Sequence, residues 1–218
     1  VYARFGNAFD MDIGHDGSNS YISHTGVGDL IIQNSENDKD IILKSDDGSG
    51  GTAEYFRLDG SQASSNYYYT RFPDKSSIVF GDGDDLRVYH DGTDSSIENE
   101  TGNLYIQQKA DDKDIIFRCD DGSGSVETYF FLDGSTGQTR FPDGKKAAFG
   151  TGGDLQVYHD GNHSYIDQGT NGALFIRQTV NDQDIIFQCD DGSGGLAEYI
   201  RIDGSATNIK VSQNLYAE

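Results

Sequence analysis

Residues 149–166 read FGTGGDLQVYHDGNHSYI, and residues 80–97 read FGDGDDLRVYHDGTDSSI. A third version, FGNAFDMDIGHDGSNSYI, spans residues 5–22. In each, apolar and polar residues alternate up to a His-Asp-Gly turn signal, as in Leu155 and Val157 against Gln156 and Tyr158. A period of two is strand chemistry. Asp-Gly supplies the backbone conformation that a tight hairpin needs.

A second block follows each of these. It reads NDKDIILKSDDGSGGTAEYFRLDGS from Asn37, DDKDIIFRCDDGSGSVETYFFLDGS from Asp111 and NDQDIIFQCDDGSGGLAEYIRIDGS from Asn181. The connector RFPD stands at Arg71–Asp74 and again at Arg140–Asp143. The aspartates that close the second block, Asp59, Asp133 and Asp203, set a period of 74 and then 70 residues. Tyr67, Tyr68 and Tyr69 lie in an insertion that accounts for most of the difference. Repeats of this length mark array architectures. The units expected are residues 1–70, 71–139 and 140–204, with 205–218 as an extension or the edge of the array.

Within the third unit, Leu174 and Ile176 are expected on one face of a strand with Phe175 on the other. Ile185, Phe187 and Cys189 are expected on one face of the next, and Leu196, Glu198, Ile200 and Ile202 on one face of the last. No segment carries a 3.6-residue apolar stripe, so helix is not expected. Pro73 and Pro142, the two prolines, fall in the connector, where a missing N–H costs no ladder bond.

Apolar residues make up 34% of the 218, below the usual share for a globular domain, yet there are 13 Tyr and 12 Phe. The 28 glycines fit many short strands joined by tight turns. The net charge of −21 argues against nucleic acid and anionic membranes as partners. No apolar run reaches membrane-spanning length. The chain begins at Val1 rather than Met, as expected of a processed product or a piece of a longer chain. Cys119 and Cys189 occupy matching positions, with Ser45 in the first unit. They are expected to be small buried side chains rather than a disulfide framework.

A module of about seventy residues with such narrow apolar faces cannot stand alone. The fold class expected is all-β, an elongated tandem-repeat fibre of β-prism or triple-stranded β-helix type, built as an intertwined homotrimer; an open solenoid monomer is the competing architecture.

Candidate sites each have two readings. His15, His90 and His159 recur in the HDG turn, where they either bind once per repeat to a neighbouring group or, around a symmetry axis, hold a metal. Asp82, Asp84 and Asp85 offer alternating oxygens, for turn formation and solubility or for weak calcium binding. No EF-hand or nonapeptide calcium repeat accompanies them. Tyr67, Tyr68 and Tyr69 are the candidate recognition surface, able to stack on sugar rings or to pack on their own chain. No nucleophile elbow, phosphate loop or HExxH motif is present, so no catalytic residue, cofactor or enzymatic activity is expected.

The FG…DLxVYHDGxxSYI block, followed by DxDIIFxCDDG and RFPDG, resembles repeats in tail-fibre and related structural proteins of marine, especially cyanobacterial, tailed phages. The likeness spans about residues 5–204 and is strongest at DLQVYHDGNHSYI, residues 154–166. Met11, Ile13 and Gly14 depart from it in the first copy. The resemblance implies a β-rich homotrimer in the virion's adsorption apparatus, joined to other tail or baseplate proteins. It also implies a shaft or receptor-contact segment, the receptor being a host-surface glycan or outer-membrane protein; membrane insertion is not expected, since no apolar run is long enough. An extracellular cell-surface or adhesin protein, with calcium as a tuning ion, and a polysaccharide-degrading tail spike are the alternatives.

Overall fold

The computed structural model describes residues 2–8, 10–64, 66–170 and 172–212. Its regular elements are eighteen β-strands grouped in six three-stranded antiparallel sheets, and among the described residues there is no helix. The chain divides into two compact units, residues 1–105 and 106–218.

The first unit holds three sheets. They are β1 (Tyr2–Phe5), β2 (Met11–His15) and β3 (Ser20–His24); β4 (Ile41–Asp46), β5 (Thr52–Ser64) and β6 (Tyr67–Arg71); and β7 (Ser77–Phe80), β8 (Leu86–His90) and β9 (Ser95–Asn99). The second unit holds β10 (Ile115–Asp120), β11 (Val126–Asp133) and β12 (Gln138–Arg140), then β13 (Lys146–Phe149), β14 (Leu155–His159) and β15 (Ser164–Gln168). Its last sheet is β16 (Ile185–Asp190), β17 (Leu196–Asp203) and β18 (Asn208–Val211). Every sheet is a meander in chain order, because each loop is too short for anything but an antiparallel return.

Two sheet types alternate along the sequence. The first carries the HDG hairpin, in which His15 pairs with Ser20, His90 with Ser95 and His159 with Ser164. The turn aspartate accepts the N–H groups two and three residues on, at 2.9 and 2.8 Å for Asp16, 2.7 and 2.9 Å for Asp91, and 2.8 and 2.7 Å for Asp160. This is the local side-chain bonding that makes Asp a turn residue. In the first copy Gly14 takes the place of Tyr89 and Tyr158, and a Cβ there would lie 2.4 Å from the Tyr2 ring. Tyr2, cross-strand from Gly14, fills the vacated space and meets Tyr21 at 5.9 Å between ring centroids. The departure at Gly14 is thus an exchange of which strand supplies the ring.

The second sheet type carries the DDGSG hairpin and a bulge. The register shifts between Leu43 and Lys44, between Phe117 and Arg118, and between Phe187 and Gln188. The extra residue on the partner strand is Tyr55, Tyr129 or Tyr199, which the register passes over. Each tyrosine hydroxyl donates to the backbone carbonyl of Asp46, Asp120 or Asp190, at 2.9, 2.8 and 3.1 Å. The bulge corrects the simple alternation expected for Leu196, Glu198, Ile200 and Ile202. With one residue inserted, positions three apart share a face. Arg57 consequently pairs with Glu54 and Asp40, and Arg201 with Glu198 and Asp184. The middle copy has Phe131 where the others have arginine.

The connector folds back on this sheet. Phe72 stacks on Phe56 and Phe141 on Phe130, both at 5.7 Å and 26°. Phe117 adds a third ring against Phe130 at 4.4 Å. Such stacks supply stabilisation beyond simple burial, on the order of 1 kcal/mol per pair.

Two expectations are revised. Leu174, Phe175 and Ile176 lie in no ladder: residues 29–35, 103–109 and 173–179 run between the two sheet types without a strand partner. Cys119 and Cys189 are free and exposed rather than buried, since among the described residues no apolar layer is buried against their sheets.

Exposure is general. Among the described residues no apolar side chain is buried, and the buried polar ones are Asp59, Asp133 and Asp203. The accessible surface is 17,533 Å². A folded monomer of 23.8 kDa is expected to expose about 9,900 Å² and its unfolded chain about 34,500 Å². The single chain therefore buries only about half of what it could expose, against the roughly 70% expected at this size.

Candidate functional site

The most completely built constellation is an acidic corner repeated three times. Asp59, Asp133 and Asp203 are 6, 7 and 6% exposed. The Asp59 carboxylate accepts from the Ser61 hydroxyl at 2.8 Å, the Gln62 N–H at 3.1 Å and Arg71 Nε at 2.7 Å. Asp133 accepts from the Ser135 hydroxyl at 2.6 Å and from the Ser135 and Thr136 N–H groups at 3.0 Å, and it forms an ion pair with Arg140, whose Nε lies 3.1 Å away. Asp203 accepts from Lys210 Nζ at 2.6 Å, and from the Ser205 hydroxyl and the Ala206 N–H at 2.8 Å each. The following glycine completes the corner. Gly60, Gly134 and Gly204 donate their N–H to Asp40, Asp114 and Asp184 at 2.9, 3.0 and 2.8 Å. A Cβ on them would lie 2.3, 2.2 and 2.3 Å from the carbonyl oxygens of Lys39, Lys113 and Gln183. Glycine is required here because backbone passes against backbone.

These donors stabilise the ionised carboxylates. Asp59 lies below the ordinary carboxylate range chiefly through the Ser61 hydroxyl and then Arg71. Asp133 lies below it through Ser135 first, and Asp203 through Lys210 first. A general acid needs its pKa moved towards the working pH, the opposite direction. The corner holds β4, β10 or β16 and the strand after the turn against one central strand. The sequence displayed it as a repeat marker, but a lone Asp-Gly reads as a turn, and the signal that distinguishes it is the Arg or Lys that follows in all three copies.

The histidines reach a local partner. Nδ1 of His15 lies 3.2 Å from the Ser20 hydroxyl, and His90 and His159 meet Ser95 and Ser164 at 3.1 Å. Histidine and serine are cross-strand neighbours at the mouth of the hairpin. Asp85 accepts from the Thr101 hydroxyl at 3.0 Å, while its backbone carbonyl takes the Glu100 N–H at 2.8 Å. Asp82 and Asp84 are exposed in the preceding turn, with Asp84 at a φ of 58°. Asp154 repeats the Asp85 pattern with the Thr170 hydroxyl at 2.7 Å. The DDGSG aspartates Asp47, Asp121 and Asp191 each bind a serine hydroxyl, at 2.8, 2.7 and 2.6 Å, which lowers their pKa values. Among the described residues no group of three or more His, Cys, Asp or Glu side chains is arranged to hold a metal ion.

Tyr67, Tyr68 and Tyr69 open β6 and are exposed. The insertion lengthens the hairpin that in the second copy closes directly, through Gly137 N–H to Asp133 carbonyl at 2.9 Å. Tyr68 and Tyr69 line a cavity of about 360 Å³ together with Ile32, Leu58, Ala63 and Lys39, whereas Tyr67 does not. The matching groove of the second copy, about 500 Å³, is lined by Ile106, Ile115, Leu132 and Lys113 and has no tyrosine wall. An open, aromatic-walled groove with a few polar groups is suited to a flat ligand such as a sugar ring or to another chain.

No family model, curated protein or solved structure matches the chain. What the fold defines is a class, an all-β chain of small antiparallel sheets with almost no interior of its own.

Proposed function

We propose that this chain is a structural segment of a phage tail fibre, assembled as a homotrimer, that builds the shaft and contributes to attachment at the host surface. The observation that carries the reading is the missing core. The accessible surface of 17,533 Å² exceeds the monomer expectation by about 7,600 Å². That excess is larger than the interface of many obligate assemblies, which bury roughly 2,000–5,000 Å². Identical chains are the natural cover for a surface that repeats along the sequence. The copy number of three, and the placement in a virion, rest on the resemblance of the HDG and RFPD blocks to phage fibre repeats. No enzymatic activity or cofactor is proposed, and partners are other tail or baseplate proteins and a host glycan or outer-membrane receptor. Tyr68 and Tyr69 on their groove are the residues proposed for that contact.

Light scattering coupled to gel filtration tests the assembly, with three times 23.8 kDa expected. A monomer at micromolar concentration would overturn it in favour of an open solenoid of the kind found on cell surfaces. Immunogold labelling of native particles tests the placement, since label on a capsid or a cell envelope excludes a tail fibre. Release of oligosaccharides from host polysaccharide by the purified chain would point instead to a tail spike.

A further inference from the structure

Residues 29–35 (DLIIQNS), 103–109 (NLYIQQK) and 173–179 (ALFIRQT) occupy the same place in successive repeats, and every one of these residues is exposed. Each segment is seven residues long, enough for an extended span of about 23 Å. Their composition is that of a strand covered on both faces, a leucine followed by two β-branched or aromatic residues. Leu30, Ile31 and Ile32 in the first copy match Leu104, Tyr105 and Ile106 in the second and Leu174, Phe175 and Ile176 in the third. Yet no ladder includes them. Among the described residues, none of their backbone N–H or carbonyl groups makes a hydrogen bond. Exposed apolar side chains beside a row of unpaired backbone groups are a ready template for pairing with another strand.

We infer that each of these segments is a strand whose ladder partner belongs to a second copy of this chain. The inference rests on the proposed self-assembly and names the surface that performs it. Recurrence identifies the partner. The unpaired segments come round every 70–74 residues, so whatever pairs with all three must present strand edges at the same interval, and a copy of this chain does so. The geometry also explains why a strand expected at Leu174–Ile176 has no ladder within the chain: the pattern specifies a strand, but a strand needs a neighbour. Pairing would bury the apolar triplets and satisfy the backbone groups together, the mode of recognition known as strand addition.

The test uses the unmodified protein. Its mass is measured first, and amide hydrogen exchange of the purified oligomer is then followed by mass spectrometry. Alternate or consecutive amides in 29–35, 103–109 and 173–179 should exchange slower than in free peptides of the same sequence by on the order of 100-fold or more. In parallel, photo-reactive benzoylphenylalanine at position 105 should give cross-linked products of two chain masses on a denaturing gel. An oligomer whose three segments exchange like the free peptides would overturn the pairing while leaving self-assembly intact. Protected segments whose cross-links stay within one chain would overturn the second copy as partner. A monomer would overturn both readings.

Discussion

Replacing Gly134 by alanine adds one methyl group at a point where the chain has no room for it. The new Cβ would stand 2.2 Å from the Lys113 carbonyl oxygen and 3.1 Å from its carbonyl carbon. Ordinary van der Waals contact begins more than 1 Å farther out, and the obstacle is backbone rather than the end of a flexible side chain. Relief requires the turn and the start of β10 to separate, which pulls the Gly134 N–H away from Asp114, now 3.0 Å distant. Overpacking of this kind costs about 3 kcal/mol, the upper end of its usual range, because neither side can rotate away. At this chain length that lowers the melting temperature by roughly 6–12 °C at fixed protein concentration. Gly169→Ala is the matched control. Its Cβ would meet nothing within 4 Å and its φ lies outside the left-handed region, so the same methyl should cost little within the chain. The assay is differential scanning calorimetry of wild type, Gly134→Ala and Gly169→Ala. If Gly134→Ala melts within 2 °C of wild type, the close backbone crossing is not a constraint on the fold and the account of the acidic corner fails.

Acid should act on the same corners. Asp59, Asp133 and Asp203 have folded pKa values below the ordinary carboxylate value near 4, as do Asp47, Asp121 and Asp191. Groups lowered on folding contribute stability that is complete above their unfolded pKa and drains as pH falls through the lower folded values. Thermal stability should hold from pH 7 to about pH 5 and fall below pH 4, and Asp133→Asn should make that acid limb shallower; an unchanged limb contradicts the assignment. Phe130→Ala removes the ring shared by Phe117 and Phe141 and should cost roughly 2 kcal/mol in denaturant titration, about half the figure for a fully buried ring. Replacing Tyr68 and Tyr69 together with serine should leave the far-ultraviolet circular dichroism and the oligomer mass unchanged while weakening adsorption to host cells at least tenfold; undiminished adsorption removes the groove from the recognition proposal.

Much of the fold could be read from the sequence because its punctuation is local. HDG and DDGSG name their hairpins through Asp side chains that cap their own turns, so the six hairpins follow from the sequence pattern, while the third strand of each sheet does not. The bulge at Tyr55, Tyr129 and Tyr199 was not readable: alternation counts residues on one strand, and a bulge is a mismatch between two. The ion clusters of Arg57 and Arg201 were hidden for the same reason, since Glu and Arg three apart read as opposite faces. Burial of Cys119 and Cys189 was inferred from residue type, which presumes an opposing layer that a single chain does not provide. Of the candidate residues, Tyr68 and Tyr69 meet in one groove, and each repeated histidine meets its own serine. The acidic corner is not legible as a unit, because Asp40, Asp59 and Arg71 are far apart in the sequence, with Arg71 already in the connector to the second unit, and only the folded chain brings them to one point.

One inequality among the copies has a consequence for assembly. Arg57 and Arg201 each hold two carboxylates, while the middle position is Phe131, with neither charge nor capacity for hydrogen bonding. Perfectly uniform modules would let associating chains zip together one module out of step, with most of their contacts intact. In the proposed assembly such a slip sets an aromatic ring at the level of a guanidinium cluster at two successive stations. In that proposed assembly the departure from uniformity would act as a key, making the staggered product the poorer one and sending all chains to a common starting line.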